Sequence, residues 1–455
     1  MEINAMKVLV ASTPASGHID PMFSLARILV GAGHQVAGLS ATAFRARIES
    51  AGAKFFPFPD RADFDLRDIS IAFPAYKTIS PGIEMSRFYL EKVFIDAIPA
   101  QVEGLREALR VFSADVILGD DFFLGALPIL LGPRSERPAV VLCGTTFLHY
   151  RRDDGAPNFV GLPPATSRAD LEAYAAIAEE HEELLYAPTR RYFNACLAAL
   201  DVGPLAMDPH EAVITLPDAY LQLTVPSFEF PRRNLPRSVR FVGTPPLVPG
   251  QASIPEWAAE LDGSRKVVLV TQGTLSNLDL GQLIVPTMAA LAEEPDLLVV
   301  VTGGGRSSSA LPGPIPSNVR FASYLPFEWL LPKTDLLVTN GGYGSLNQAL
   351  SFGIPIVSAG LSEDKADVNA RVAWSGVGID LKAQQPSESA LHQAIRRVLD
   401  LPNYRQRALA VSEEFARLDG RSRILSILER ASAGSETQSA ERAPIECRRY
   451  SGWVE

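Results

Sequence analysis

The chain is expected to be α/β, built as two facing doubly wound parallel-sheet (Rossmann-like) domains. Three observations predict this. Short apolar runs of the kind buried on both faces of a sheet recur in both halves, at 7–12, 35–39, 115–119 and 139–142 and again at 266–271, 297–301, 319–322, 336–339 and 354–357. Helical apolar periodicity alternates with these runs, as in repeated βα units. A proline-dense stretch, 226–255, divides the halves and reads as a linker. At 455 residues the chain is too long for one core, which fits two domains.

In the first half, 7–12 is a buried strand and 13–19 a polar loop containing Gly17 and His18. A helix is expected to start at Asp20, as N-cap, and Pro21, in the first helical position. Phe23, Ala26, Leu29 and Val30 give it an apolar face, and Gly31 and Gly33 end it. Strands and helices continue through 35–39, 44–50, 54–58 and 99–112. The strand 115–119 then runs into Asp120, Asp121, Phe122 and Phe123. His18 and Asp120 thus each follow a strand, at the sheet edge where crevices form. A carboxylate on one imidazole nitrogen would fix the tautomer and leave the other nitrogen as a base. The plainer reading is a loop histidine satisfying backbone and an aspartate capping a helix. Residues 168–200 read as helical, with an apolar and aromatic stripe more often core than pocket. Asp63-Phe64-Asp65 resembles a metal-binding tripeptide but has no supporting context and is taken as incidental.

In the second half, 266–271 leads into the small-residue turn Gln272-Gly273-Thr274, and 319–322 leads into Tyr324-Leu325. The most informative stretch is 335–381, DLLVTNGGYGSLNQALSFGIPIVSAGLSEDKADVNARVAWSGVGIDL. A buried strand breaks at Asn340-Gly341-Gly342-Tyr343-Gly344, and Ser345 opens a helix that Gly353 stops. Such a strand–turn–helix unit aims free backbone N–H groups at the strand's carboxyl end, which suits a phosphate. Ser345 and Gln348 also fit a capping box, which would tie Gln348 to backbone.

Composition narrows the function. A net charge of −10, without a Lys/Arg run, argues against a nucleic-acid partner. Cys143, Cys196 and Cys447 are odd in number and scattered, so neither a disulfide framework nor a metal site is expected. The N-terminal segment lacks the pattern of a signal peptide, and the longest apolar segment, 122–132, is too short to span a bilayer. A soluble cytoplasmic protein is expected.

The stretch 335–381 resembles the nucleotide-sugar signature of the family 1 glycosyltransferases, the UDP-glycosyltransferase and macrolide type. That signature is roughly H-x-G-x-G-S-x-x-E-A-L-x-x-G-x-P, then D-Q, N-A-x-R-V and G-x-G. Here it stands as Asn340, Gly342, Gly344, Ser345, Gln348-Ala349-Leu350, Gly353, Pro355, Asp364-Lys365, Asn369-Ala370-Arg371-Val372, Gly376 and Gly378. Gly17-His18-Ile19-Asp20-Pro21 likewise stands where that family has G-H-x-x-P.

The resemblance covers about residues 7–430 and implies the GT-B architecture. Residues 1–225 would bind the acceptor, 226–255 would link the domains, 256–410 would bind the nucleotide sugar, 411–432 would be a helix returning to the first domain, and 433–455 a disordered tail. It implies His18 as base, oriented by Asp120 or Asp121, with Asp120 favoured because it directly follows the strand. It implies donor contacts at Gly17, Gly273, Thr274, Tyr324, Leu325, Asn340, Gly342, Gly344, Ser345, Gln348, Asp364 and Lys365, and acceptor contacts at Phe122 and Phe123.

The implied reaction is inverting, metal-independent sugar transfer from a UDP- or TDP-sugar co-substrate, UDP favoured, to a small apolar natural product, with no cofactor. Three polar positions depart from the signature. Asn340 replaces a His, Gln348 a Glu, and Lys365 the Gln of D-Q, which leaves the donor sugar open. The rival readings are a nucleotide-sugar epimerase or hydrolase and a non-catalytic binding protein on the same fold.

Overall fold

The structure is a computed structural model and describes residues 5–247, 253–274 and 277–434. Strands without a polar face must be covered on both sides, and two wholly parallel sheets result. The first has 7 strands in the order β3-β2-β1-β4-β5-β6-β7: β1 (Lys7–Ala11), β2 (Gln35–Ser40), β3 (Lys54–Pro57), β4 (Val116–Asp120), β5 (Ala139–Gly144), β6 (Ala219–Gln222) and β7 (Val239–Phe241). The second has 6 strands in the order β10-β9-β8-β11-β12-β13: β8 (Lys266–Thr271), β9 (Leu297–Thr302), β10 (Val319–Ala322), β11 (Leu336–Thr339), β12 (Ile356–Ser358) and β13 (Gly378–Asp380). On β8, Val267 and Leu269 join one apolar cluster while Val268 and Val270 join another, so the second sheet has a core on each face.

Strand order reverses between β1 and β4 in the first sheet and between β8 and β11 in the second. In open parallel sheets ligands bind at the carboxyl ends of the strands at such switch points. The β1–β4 register pairs Ala11 with Gly119, which brings the segments after both strands to one spot.

Two expected boundaries change. The proposed linker 226–255 contains β7, which pairs with β6 and so belongs to the first domain; residues 248–252 of that stretch lie outside the described residues. The proposed return helix at 411–432 is two helices. Pro402–Leu418 packs Ala408, Val411 and Phe415 into the second domain, and Gly420–Ser432 packs Ile424, Ile427 and Leu428 into the first. The break falls at Asp419, which has a positive φ of 42°. The expected disordered tail lies outside the described residues from 435 onward. The chain therefore crosses between domains after β7 and again at 418–420. The two crossings touch: a Cβ on Gly420 would meet the Val242 carbonyl oxygen at 2.4 Å, and one on Gly243 would meet Phe415 at 3.4 Å.

A buried ion pair joins the domains. Arg371, fully buried in the helix Lys365–Ser375, donates from Nε to Glu229 at 2.9 Å and from Nη1 to the Asp367 carbonyl at 2.9 Å. Its guanidinium lies between the rings of Phe147 and Phe230, 4.3 and 4.1 Å from their centroids. Glu229 also accepts from the Leu148 N–H at 2.9 Å, and Asp367 from the Gly161 N–H at 2.7 Å. Arg371→Met would leave Glu229 with only the longer contact to Arg232, at 3.9 Å, and Asp367 with the Gly161 N–H, at a cost of up to about 3–5 kcal/mol. The expected result is a clearly lowered thermal midpoint, partly recovered by adding Glu229→Gln; an unchanged midpoint would remove the pair from the account of stability.

Candidate active site

The helix after β1, α1 (Ser16–Gly31), starts four residues earlier than Asp20. Its N-cap is Ala15, whose carbonyl accepts from His18 and Ile19 N–H at 3.0 and 2.9 Å. Asp20 is therefore not a cap. Its carboxylate pairs with Arg47 at 2.6 Å, and Pro21 sits inside the helix. Gly17 and His18 lie in the first turn, at the carboxyl edge of the sheet, with Gly17 exposed and the His18 side chain 18% exposed.

Asp120 is the carboxylate beside His18. Its Oδ1 lies 3.2 Å from His18 Nδ1, and it accepts from the Thr13 N–H at 2.6 Å, the Thr13 hydroxyl at 2.9 Å and the Phe122 N–H at 3.0 Å. Asp121 turns away. It accepts from the N–H and hydroxyl of Thr145, at 3.1 and 2.8 Å, and lies 3.0 Å from His149 Nε2. Thr145 Oγ1 is in turn 2.8 Å from His18 Nδ1. Burial would lower the His18 pKa, but the charge and hydrogen bond of Asp120, with the charges of Asp121 and Asp364, outweigh it and raise the imidazole above its ordinary value. Burial pushes Asp120 upward, and its bonds to His18 and Thr13 more than reverse that, leaving it below the usual carboxylate range. The pair holds Nδ1, an arrangement that would let Nε2 serve as a base.

Aromatic rings run outward from His18. Phe122 meets His18 edge-on at 5.3 Å and Phe94 at 5.0 Å, and the run continues through Tyr89, Phe88, Phe73 and Phe64. On the other side Phe122 touches His149 and His210 at 5.8 Å each. Phe123 does not share this wall. It is fully buried in the first core and stacks on Phe58, so its expected acceptor contact is corrected. Asp63 and Asp65 are used locally, by Thr42 and Arg67.

Across the cleft, the helix after β11, α2 (Tyr343–Ser351), has Gly342 as N-cap and no side-chain cap. Ser345 is its third residue, so the Ser345–Gln348 capping box does not form, and Gln348 lies half-buried on the helix. Gly341 has φ 101°, and a Cβ there would strike Asn369 at 2.4 Å, so glycine is required. Around Gly344 and Gly273 a Cβ would meet nothing within 4 Å, which leaves backbone open to a ligand. Thr274 is exposed beside Gly273.

Asn340 donates to the Gln272 carbonyl at 2.8 Å, and its Oδ1 is buried without a partner. Its amide is therefore spent partly on joining the two glycine turns. Asp364 lies at the N-terminus of α3 (Lys365–Ser375) and accepts from Thr146 across the domain boundary; burial raises its pKa. Lys365 is buried and pairs with Glu363, so its charge is already matched. Tyr324 is 58% exposed, whereas the Leu325 side chain joins the second core and can offer a ligand only its backbone.

The sequence reading missed Thr145, Thr146 and His149, which follow β5, and Asn277. The Asn277 amide donates to Gly273, Gly303 and Gly304 carbonyls at 2.9, 3.1 and 3.0 Å and ties two loops together. Only the recurrence of hydroxyls directly after β5, an interior strand next to β4, could have signalled the first two.

His18, Asp120 and Asp121 offer ligand atoms within 4.8 Å of one another, a spacing a cation could use. The carboxylates do not fit that role well, since both oxygens of each already receive N–H or O–H donors. Among the described residues no helix is long and apolar enough to cross a membrane.

Two parallel sheets, a His–Asp pair at one switch point and a glycine turn at the other define a glycosyltransferase of GT-B architecture. Residues 286–427 match the family described as Erythromycin biosynthesis protein CIII-like, C-terminal domain. The chain is 38% identical over 418 residues to 4'-demethylrebeccamycin synthase of Lentzea aerocolonigenes, covering 91% of this chain and 96% of that protein. It is 36% identical over 429 residues to UDP-glycosyltransferase 2 of Phaeomoniella chlamydospora, covering 90% and 92%. The calicheamicin glycosyltransferase CalG4 shares the fold, with a TM-score of 0.72 at 19% identity over 96% of this chain and 100% of that one. The chain belongs to the family 1 glycosyltransferases and is a glycosyltransferase.

His18 must be neutral to accept a proton, and its pKa is raised, so kcat/KM is expected to fall as pH drops through a value above about 6.5, the ordinary imidazole range. Asp120→Asn removes the largest upward influence, so the acidic limb should move to lower pH while the maximal rate falls. A pH–rate profile with an unmoved limb would break the assigned pairing.

Proposed function

We propose that the enzyme transfers a sugar, with inversion and without a metal, from a nucleoside-diphosphate sugar to a hydroxyl of a small, largely apolar natural product. The observation that carries this reading is that Asp364 of the second domain bonds to Thr146 of the first and lies near enough to His18 for its charge to act on the imidazole, which brings the groups after the two switch points together. The acceptor hydroxyl gives its proton to His18 Nε2 as its oxygen bonds to the anomeric carbon. The bond from that carbon to the diphosphate oxygen breaks, and its electron pair leaves with the nucleoside diphosphate. A base on one side and a leaving-group site on the other favour a single in-line displacement, hence inversion.

Negative charge growing on the departing diphosphate is met by N–H groups at Gly344 and Ser345, by the Gly273 turn and by the Thr274 hydroxyl. Gly17 and Gly342 border the same space, and Asn340 and Gln348 add neutral amides where the family has charge. Asp364, bonded to Thr146, would hold sugar hydroxyls, and Lys365, at the next position and paired with Glu363, would border them. Tyr324 offers a face to the nucleobase and Leu325 its backbone. The ring series from Phe122 to Phe64 supports a flat, apolar acceptor. UDP-sugars are favoured, as similarity to UDP-glucosyltransferase B1 of Starmerella bombicola suggests; thymidine diphosphate, bound in the spinosyn rhamnosyltransferase SpnG, marks the other donor class. The donor-saturated carboxylates support catalysis without a metal.

The test is mass spectrometry of a phenol, macrolide and sterol panel after incubation with UDP-glucose or TDP-sugars, with and without EDTA, followed by assignment of the product anomer by NMR. The expected result is a sugar mass gain that EDTA leaves intact, an inverted anomer, and a loss of roughly 10²–10⁴-fold in rate for His18→Ala. Donor breakdown without acceptor gain would favour the hydrolase or epimerase reading, and sensitivity to EDTA would overturn metal independence.

A further inference from the structure

His18 Nδ1 has two partners, and the nearer is not a carboxylate. Thr145 Oγ1 lies at 2.8 Å, against 3.2 Å for Asp120 Oδ1. The Thr145 hydroxyl has one proton, and Asp121 Oδ1, 2.8 Å away, takes it. A hydroxyl so committed can only accept from the imidazole. That forces the Nδ1–H tautomer and leaves Nε2 bare. The other Asp121 oxygen lies 3.0 Å from His149 Nε2 and 3.5 Å from the Tyr220 hydroxyl. Asp121 and His149 are fully or almost fully buried, and Thr145 nearly so. The chain His18–Thr145–Asp121–His149 is therefore continuous, dry and joined end to end by hydrogen-bonding distances.

We propose that Thr145, Asp121 and His149 form a second positioning arm for the catalytic base, parallel to Asp120, in which His149 orients Asp121, Asp121 orients the Thr145 hydroxyl, and that hydroxyl fixes the tautomer of His18. The proposal rests on the reading of His18 as base. Thr145 touches His18, Asp121 touches Thr145 and His149 touches Asp121, and all three act through His18, so they are positioning residues. The arm is held in place by its surroundings. Asp121 keeps both oxygens filled, and the rings of Phe122, Phe159 and His210 pack around His149 at 5.8, 6.0 and 5.4 Å. Burial, with the neighbouring His149, pushes His210 down to about 3, so His210 stays neutral.

The charged and titratable groups around the two imidazoles come from several elements. Asp120 and Asp121 stand at the end of β4, Asp364 at the start of α3, Cys143 in β5, Tyr220 in β6 and His210 in the helix Pro209–Thr215. Of these only the carboxylates raise His18. Removing the charge of Asp121 must therefore lower the pH at which His18 becomes neutral.

The experiment compares Thr145→Val, which removes the hydroxyl at nearly constant shape, with Thr145→Ser, which keeps it. It then compares His149→Phe with His149→Gln, which retains an N–H for Asp121. Donor and acceptor KM, kcat and the pH profile of kcat/KM are read for each and for Asp121→Asn. The proposal expects kcat to fall about tenfold in Thr145→Val and His149→Phe with KM changed less than twofold, substantial recovery in Thr145→Ser and His149→Gln, and an acidic limb shifted to lower pH in Asp121→Asn. It is overturned if Thr145→Val keeps the native kcat, if the conservative variants recover nothing, or if acceptor KM alone rises, which would make His149 a direct acceptor contact. His18→Ala run alongside separates the two levels: an active His18→Ala sinks the base assignment itself, whereas an inactive one with native Thr145→Val sinks only the second arm.

Discussion

Everything at the active site depends on one arginine that never meets solvent. Arg371 stands in α3, the helix that also presents Asp364, and its guanidinium is fixed by Glu229 and by two rings of the opposite domain. Phe147 is two residues from Thr145 and two from His149, so the same clamp that seats α3 also seats the segment behind the base. Asp364 and Thr146 come from different domains, and the Arg371 clamp helps to hold the two together where they meet. A planar cation suits this place, because it bonds at its edge and stacks on its faces, whereas a lysine could do only the first.

The site concentrates negative charge around His18, where the proposed reaction would take up a proton. The charges of Asp120, Asp121 and Asp364, with the hydrogen bond of Asp120, outweigh the penalty of burying this single imidazole. The carboxylates tolerate that crowding because each is wrapped by donors from the strand-end loops. Thr13 supplies two, Thr145 two more, and Phe122 a backbone N–H. These loops all leave the carboxyl edges of β1, β4 and β5, three neighbouring parallel strands. Topology thus delivers the donors, and local sequence decides only which hydroxyls they are.

The fold was legible because parallel strands buried on both faces must be apolar throughout, and runs such as 266–271 and 336–339 have no other economical reading. The glycine turn was legible for a similar reason: Gly341 is the one residue type that avoids Asn369 at its φ. His18 and Asp120 could be placed at the same edge, but their pairing required knowing that β1 and β4 are neighbours. What stayed hidden was set by contacts between distant segments. Thr145 and His149 look like ordinary residues after a strand until Asp121 is seen between them. β7 was too short, and too near prolines, for its period to show. The start of α1 was misplaced because Asp20-Pro21 mimics a helix beginning, while the true first turn is closed by backbone alone at Ala15.

The chain passes between the domains twice, and the two passages lie against each other at Val242–Gly243 and Phe415–Gly420. Two tethers set far apart would weld the halves together. Two set side by side behave as the leaves of one butt hinge, so the remaining freedom is a swing about a single line, with little room to slide. Gly243 and Asp419, both at positive φ, are the knuckles of that hinge. The swing would carry Asp364 and the α2 turn along an arc toward or away from His18, which turns the width of the cleft into a single angular coordinate.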